Sequence, residues 1–316
     1  MKRPFPLKLL LLSVLLGVGC ATAPRAVPDS APEPKQRAML WEVRGPSGAT
    51  AYVVGSVHVA KDGQLELPGS MESAFSRADT LVVELDSTAI DKTEMQQLVQ
   101  RHGMLPRGQR LSEHIEPETN ALLVPALLRV GIPRSTLEPM RPWLVSLTLT
   151  MVGLMRAGYD GNKGVDQTFL KRAHAASDSG LRGKDIIPLE TAEQQLMLLA
   201  GVPEPLQDLM LREQLQNDEE QTTAYFEKMM GLWNEGDAAG LAAMIFPSSA
   251  DPKYQPVYEE VYFKRNERMA HRLDGLLREQ PRTHFVVVGA GHVVGPRGIP
   301  ALLKAQGYEV RQLGRD

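Results

Sequence analysis

Two tetrapeptides carry residues that could do chemistry at a fixed distance from a strand. Gly55-Ser56-Val57-His58 follows Tyr52-Val53-Val54, and Gly289-Ala290-Gly291-His292 follows Phe285-Val286-Val287-Val288. Each is a G-x-x-H at the end of an apolar run. A glycine there lets the backbone turn sharply or come close to a ligand. The histidine three residues later then stands just past the strand's carboxyl end, the edge at which open α/β sheets bind ligands. One motif lies near the start of the folded region and the other near its end, so the two histidines can meet over one sheet. A lone histidine beside a strand is more often a hydrogen-bonded structural residue; the repetition of the pattern argues for function.

Two carboxylates add to the histidines. Glu84 interrupts Leu81-Val82-Val83-Glu84-Leu85, and Glu190 ends the apolar stretch Ile186-Ile187-Pro188-Leu189. An ionised carboxylate is costly to bury without a partner. The bland alternatives are a solvent-facing strand side for Glu84 and a helix N-terminus for Glu190. Two imidazoles and two carboxylates suit a divalent cation of the Zn, Mn, Fe or Co kind. His58, His292, Glu84 and Glu190 are therefore the candidate ligands. An open position on such an ion activates water for hydrolysis; alternatively one of the two glutamates stays unbound as general base. Arg265, beside Asn266, is either a surface residue or a guanidinium that holds a carboxylate or a developing oxyanion. The candidate catalytic residues are Glu84, Glu190 and Arg265, with Gly55 and Gly289 as the motif glycines. His102, His114, His174, His271 and His284 lack such a context and read as structural or surface residues. There is no H-E-x-x-H, no G-x-S-x-G and no P-loop. The run from Gly289 to Gly295 is one residue too long for a dinucleotide fingerprint.

The elements that must position these residues are strand-rich at both ends and helical in the middle. Strands are predicted over 39–43, 50–57, 80–86, 185–190, 283–288 and 308–312. Gly45-Pro46-Ser47-Gly48 marks the first turn. Helices are predicted over 68–77, 90–101, 116–130, 139–156, 165–176, 192–200, 203–230, 238–245, 254–279 and 299–305. The apolar run 143–155 is too short for a membrane span and reads as a buried helix. The fold class is α/β, with α+β as the alternative: a central sheet built from the N- and C-terminal segments, with a large helical insertion over about 110–280.

Ahead of this domain, assigned to residues 38–316, lies a targeting segment. Lys2, Arg3 and Lys8 precede a short apolar run, and Leu16-Gly17-Val18-Gly19-Cys20 is similar to a bacterial lipobox. Residues 1–20 read as a signal peptide, Cys20 as the lipidation site, and the proline-rich residues 21–37 as a tether. The rival is ordinary cleavage after Ala21-Thr22-Ala23. The expected location is the cell envelope, anchored by lipid on the periplasmic face of the outer membrane. The alternative is a soluble periplasmic or secreted protein. Cys20 is the only cysteine among 316 residues, so no disulfide forms within the chain. A net charge of −3 gives no reason to expect nucleic acid as a partner.

Taken in order, the motifs resemble a known family. Leu40-Trp41-Glu42-Val43, the first G-x-x-H and Leu81-Val82-Val83-Glu84-Leu85-Asp86 resemble the opening of the TraB/GumN family. Gly164-Val165-Asp166, Leu189-Glu190-Thr191, Trp233-Asn234-Glu235-Gly236-Asp237, Lys264-Arg265-Asn266-Glu267-Arg268 and the second G-x-x-H are similar to its middle and end. Ser56 stands where threonine is usual, and Val293 where leucine is common. That family takes in TIKI-like metalloproteases and is related to erythromycin esterase-like and haem-binding ChaN-like folds. The resemblance implies a metal-dependent hydrolase site that uses His58, His292, Glu84, Glu190 and Arg265, acting on a peptide or protein. A non-catalytic envelope protein that sequesters a peptide or a haem-like ligand is the alternative.

Overall fold

Apolar, β-branched runs at both ends of the chain, joined by a short strand from its middle, build one sheet. In the computed structural model, which describes residues 36–178, 183–217, 219–279 and 281–316, six strands form it. They are β1 (Arg37–Arg44), β2 (Thr50–Ser56), β3 (Thr80–Val83), β4 (Asp185–Pro188), β5 (Thr283–Gly289) and β6 (Glu309–Gly314). Their order is β4-β3-β5-β2-β1-β6. Strands β4, β3, β5 and β2 run parallel, and β1 is antiparallel to both β2 and β6. Strands β2, β3 and β5 are buried along almost their whole length. That is why they read as continuous apolar runs rather than as alternation. The predicted strand 80–86 stops at Val83. The Val83 carbonyl still accepts from Leu189 N–H at 2.8 Å, and Glu84 comes just past the ladder.

The sheet belongs to one of two compact units, made of residues 36–86, Gly161–Leu189 and Glu227–Asp316. On it pack the helices Gly69–Arg77, Val165–Asp178 and Ile299–Ala305, and Lys264–Glu279 packs against Ile299–Ala305. Phe75, Phe169 and Phe285 form a ring cluster with centroids 4.6 to 5.3 Å apart. Burying such a side chain contributes about 1.5–3 kcal/mol. The predicted helix 254–279 is interrupted: Gln255–Tyr258 runs into a π-helical turn, Glu259–Phe263, before Lys264–Glu279 begins.

The other unit is helical and comprises Ser87–Asp160 and Glu190–Phe226. Between these stretches the chain returns to the sheet to form β4. Leu111, Leu123, Leu127, Val145, Leu149, Leu211 and Leu215 are in its core. Prolines set helix starts here, as they do where their missing N–H costs nothing. Pro142 begins Pro142–Arg156, so the predicted helix 139–156 starts late. The predicted 203–230 is divided into Glu204–Leu215 and Glu219–Glu235. Among the described residues no helix is long and apolar enough to cross a membrane.

Candidate functional site

Register decides what meets at the carboxyl edge. Ser56 lies opposite Gly289, and Val83 opposite Val287, so the ends of β2, β3 and β5 stand side by side. Just beyond them come His58, Glu84 and the single helical turn Ala290–Val293 that carries His292. The motif glycines let these segments close up. A Cβ on Gly55 would sit 2.5 Å from Val293 Cγ2. One on Gly289 would lie 3.1 Å from His58 Nε2 and 3.2 Å from Glu84 Oε1. Gly289 is thus the floor of a cluster formed by His58, Glu84 and His292.

Glu84 is buried, and Arg265 is fully buried against it. Arg265 Nη2 donates to Glu84 Oε2 at 2.9 Å, and the Gly289 N–H donates to Glu84 Oε1. The other guanidinium arm, Nη1, donates to the Val261 carbonyl at 3.0 Å, inside the π-helical turn. A buried charge needs such a partner, because removing one leaves the other uncompensated.

The two histidines are held differently. His58 Nδ1 lies 3.2 Å from Asp166 Oδ1. Asp166 is in the first turn of Val165–Asp178, whose start is tied to the motif by Val165 N–H donating to the Val57 carbonyl at 2.9 Å. Burial works against a charged His58 ring. The Asp166 carboxylate, by charge and hydrogen bond, and Glu84 by charge, outweigh it and raise the pKa from 6.5 to about 9. His292 is buried, with Nδ1 2.5 Å from Asn266 Oδ1 and its ring 5.6 Å from the Tyr262 ring. Burial first, then the charges of Arg265 and His58, push its pKa well below 6.5. Its Nε2 lies 3.6 Å from Glu84 Oε1 and has no hydrogen-bond partner.

Of the residues singled out in the sequence, His58, Glu84, His292, Arg265, Gly55 and Gly289 lie together in the sheet unit. Glu190 follows β4 by two residues, is buried, and accepts from Gln195 Nε2 at 3.2 Å; it opens the helical unit. Cys20, the signal peptide and most of the tether lie outside the described residues. Asp166, Asn266 and Tyr262 were not assigned to the site from sequence. Asp166 and Asn266 do sit in the short motifs Gly164-Val165-Asp166 and Lys264-Arg265-Asn266, which was the available signal.

The expected occupant is a divalent metal ion, and the side chains as placed do not make its centre. His292 Nε2 is a suitable donor: buried, neutral and without a partner. Glu84, however, is bound by Arg265 and Gly289, and His58 is bound as a cation to Asp166. Among the described residues no three His, Cys, Asp or Glu side chains are grouped to hold an ion.

Fold and site together define a class: an α/β domain with helical insertions, whose two G-x-x-H histidines flank a buried Glu–Arg pair at the carboxyl edge of a mixed sheet. The model of the TraB/PrgY/gumN family matches residues 39–312. The chain belongs to that family. It is 24% identical over 259 residues to the uncharacterized protein YbaP of Escherichia coli (strain K12), covering 82% of this chain and 89% of that one. It is 23% identical over 336 residues to metalloprotease TIKI1 of Danio rerio, covering 92% of this chain and 65% of the relative. To metalloprotease TIKI2 of the same fish it is 26% identical over 321 residues, covering 86% and 60%. The chain thus spans less than two thirds of the length of these two metalloproteases. No solved structure matches it.

Proposed function

We propose that this cluster is the centre of a hydrolase that cleaves peptide bonds in the bacterial cell envelope. The observation that carries the reading is His292 Nε2, a neutral imidazole nitrogen without a partner, buried between a carboxylate and a charged second histidine. His292 takes a proton from the attacking water, and His58 returns one to the leaving amine. Glu84 and Arg265 are the fixed charges between them. General acid–base groups of this kind contribute typically about 10²–10⁴-fold.

Metal dependence rests on the residue types and on the name of the TIKI relatives, and no step above runs through an ion. The test is peptide cleavage by the full chain in chelator, and again with Mn, Co, Zn or Fe ions added. Cleavage in chelator supports acid–base chemistry by the side chains alone. Cleavage only with metal supports a metallopeptidase. A protein that cleaves nothing under either condition, yet binds peptide or haem, is a sequestering protein. The proposal also anchors the chain through lipid at Cys20, on the periplasmic face of the outer membrane. Cys20→Ser then leaves an unprocessed or released protein, and unchanged membrane association with unchanged mature size refutes the anchor.

A further inference from the structure

The geometry points to Asn266 as a positioning residue that fixes His292 in the tautomer with hydrogen on Nδ1, so that the Nε2 lone pair faces Glu84. The Asn266 amide can sit only one way round. Its Nδ2 lies 2.7 Å from the Arg297 carbonyl, which only accepts, so the NH₂ end must face it. Oδ1 then faces His292 Nδ1 at 2.5 Å. An amide oxygen also only accepts, so Nδ1 carries the hydrogen. A neutral imidazole has one N–H, and the lone pair is left on Nε2.

Arg297 makes the arrangement firm. Its guanidinium is held by Glu259 and by Glu267, the latter at 2.8 Å, and stacks 4.2 Å over Phe263. The carbonyl that orients Asn266 therefore belongs to an anchored residue. Asn266 also works against an easier outcome. With Glu84 Oε1 only 3.6 Å away, a ring freed from Asn266 would put its hydrogen on Nε2 and give it to the carboxylate. That would quench the lone pair which the hydrolase reading uses. The tautomer does not depend on that reading; the part Asn266 plays in turnover rests on it.

The test is a long-range proton–nitrogen correlation spectrum of the full chain carrying ¹⁵N-histidine, in chelator, with the His292 signal assigned by its loss in His292→Gln. Wild type is expected to show Nδ1 protonated and Nε2 bare. Asn266→Leu, which removes the acceptor, is expected to move the hydrogen to Nε2. Asn266→Asp keeps an acceptor and is expected to keep Nδ1 protonated. A wild-type spectrum with Nε2 protonated overturns the inference even if neither variant folds. So does an Asn266→Leu spectrum like that of wild type. In peptide cleavage, Asn266→Leu is expected to lower kcat by about 10²-fold with little change in KM. A wild type that cleaves no peptide removes the hydrolase reading and leaves the tautomer to be judged by the spectrum.

Discussion

His58 and His292 close the same four-residue motif on adjacent parallel strands, yet their surroundings differ in kind. The His58 side chain is 20% exposed and the His292 side chain 1%. His58 faces a carboxylate, Asp166; His292 faces an amide, Asn266. A carboxylate rewards a charged ring and an amide oxygen does not. One imidazole is therefore held as a cation, with a pKa near 9, and the other as a neutral ring. The motif sets where a histidine stands. Its charge is set by a residue that another element brings to it.

The largest test of that contrast is His292→Ala, expected to cut peptide cleavage by about 10²–10⁴-fold. His58→Ala should do likewise. In chelator His292→Ala should melt close to wild type, since β5 keeps its packing, and His58→Ala should fall no further than Asp166→Asn, which loses the same ion pair. If either unfolds as severely as a core truncation, ~2–5 kcal/mol, the two motifs are structural turns and the contrast has no catalytic meaning.

Arg265→Met comes next. It takes the guanidinium away from a buried carboxylate and removes a charge that holds His292 neutral. Urea unfolding should show a loss of about 3–5 kcal/mol. Arg265→Lys keeps the charge without the planar fork, so it should cost less stability while still lowering turnover. A loss near zero for Arg265→Met would mean that Glu84 finds water or another donor.

Asp166→Asn should abolish the cationic half of the comparison. In wild type the folded-state pKa of His58, about 9, is raised from 6.5. The stabilisation from this pair is therefore full below pH 6.5 and lost as pH rises through about 9. The variant should melt below wild type under mildly acidic conditions, and the gap should narrow above pH 9. A gap that does not change with pH would place the Asp166 contribution in packing rather than charge. The smallest effect is expected from His102→Ala, within about 0.5 kcal/mol. Trp143 bonds the backbone carbonyl of His102, which alanine retains.

The edge of the site was legible because strand ends are written in apolar runs. Tyr52 to Val54 and Phe285 to Val288 fixed where the histidines would emerge, and Glu84 stood out as a charge in an apolar run. The two-ended sheet followed from the same runs. What the runs do not contain is neighbour order, so nothing in them said that β5 lies between β2 and β3. Nor did periodicity reveal Asp166 and Asn266 as the partners of the histidines. A polar residue on an amphipathic helix looks the same whether it meets water or a buried ring. The division near 217 had a signal in Asn217 and Asp218, both weak helix formers, whereas nothing in the residues 259–263 marks a π-helical turn.

The π-helical turn at Glu259–Phe263 has a consequence for how this site tolerates insertions and deletions. Lys264 N–H reaches back five residues to the Glu259 carbonyl, so the turn holds one residue more than an α-helix would. An α-helix advances by 3.6 residues per turn, about 100° per residue. Loss of one residue from this stretch would let the turn close as ordinary helix at no cost to its own backbone ladder. It would also rotate Tyr258 and Val257 by about 100° relative to Arg265 and Asn266. Either the aromatic packing upstream keeps its place, or the guanidinium and the amide do. The extra residue works as a phase shim: it lets one continuous helical rod present an aromatic face and a polar face whose angles a regular helix could not reconcile.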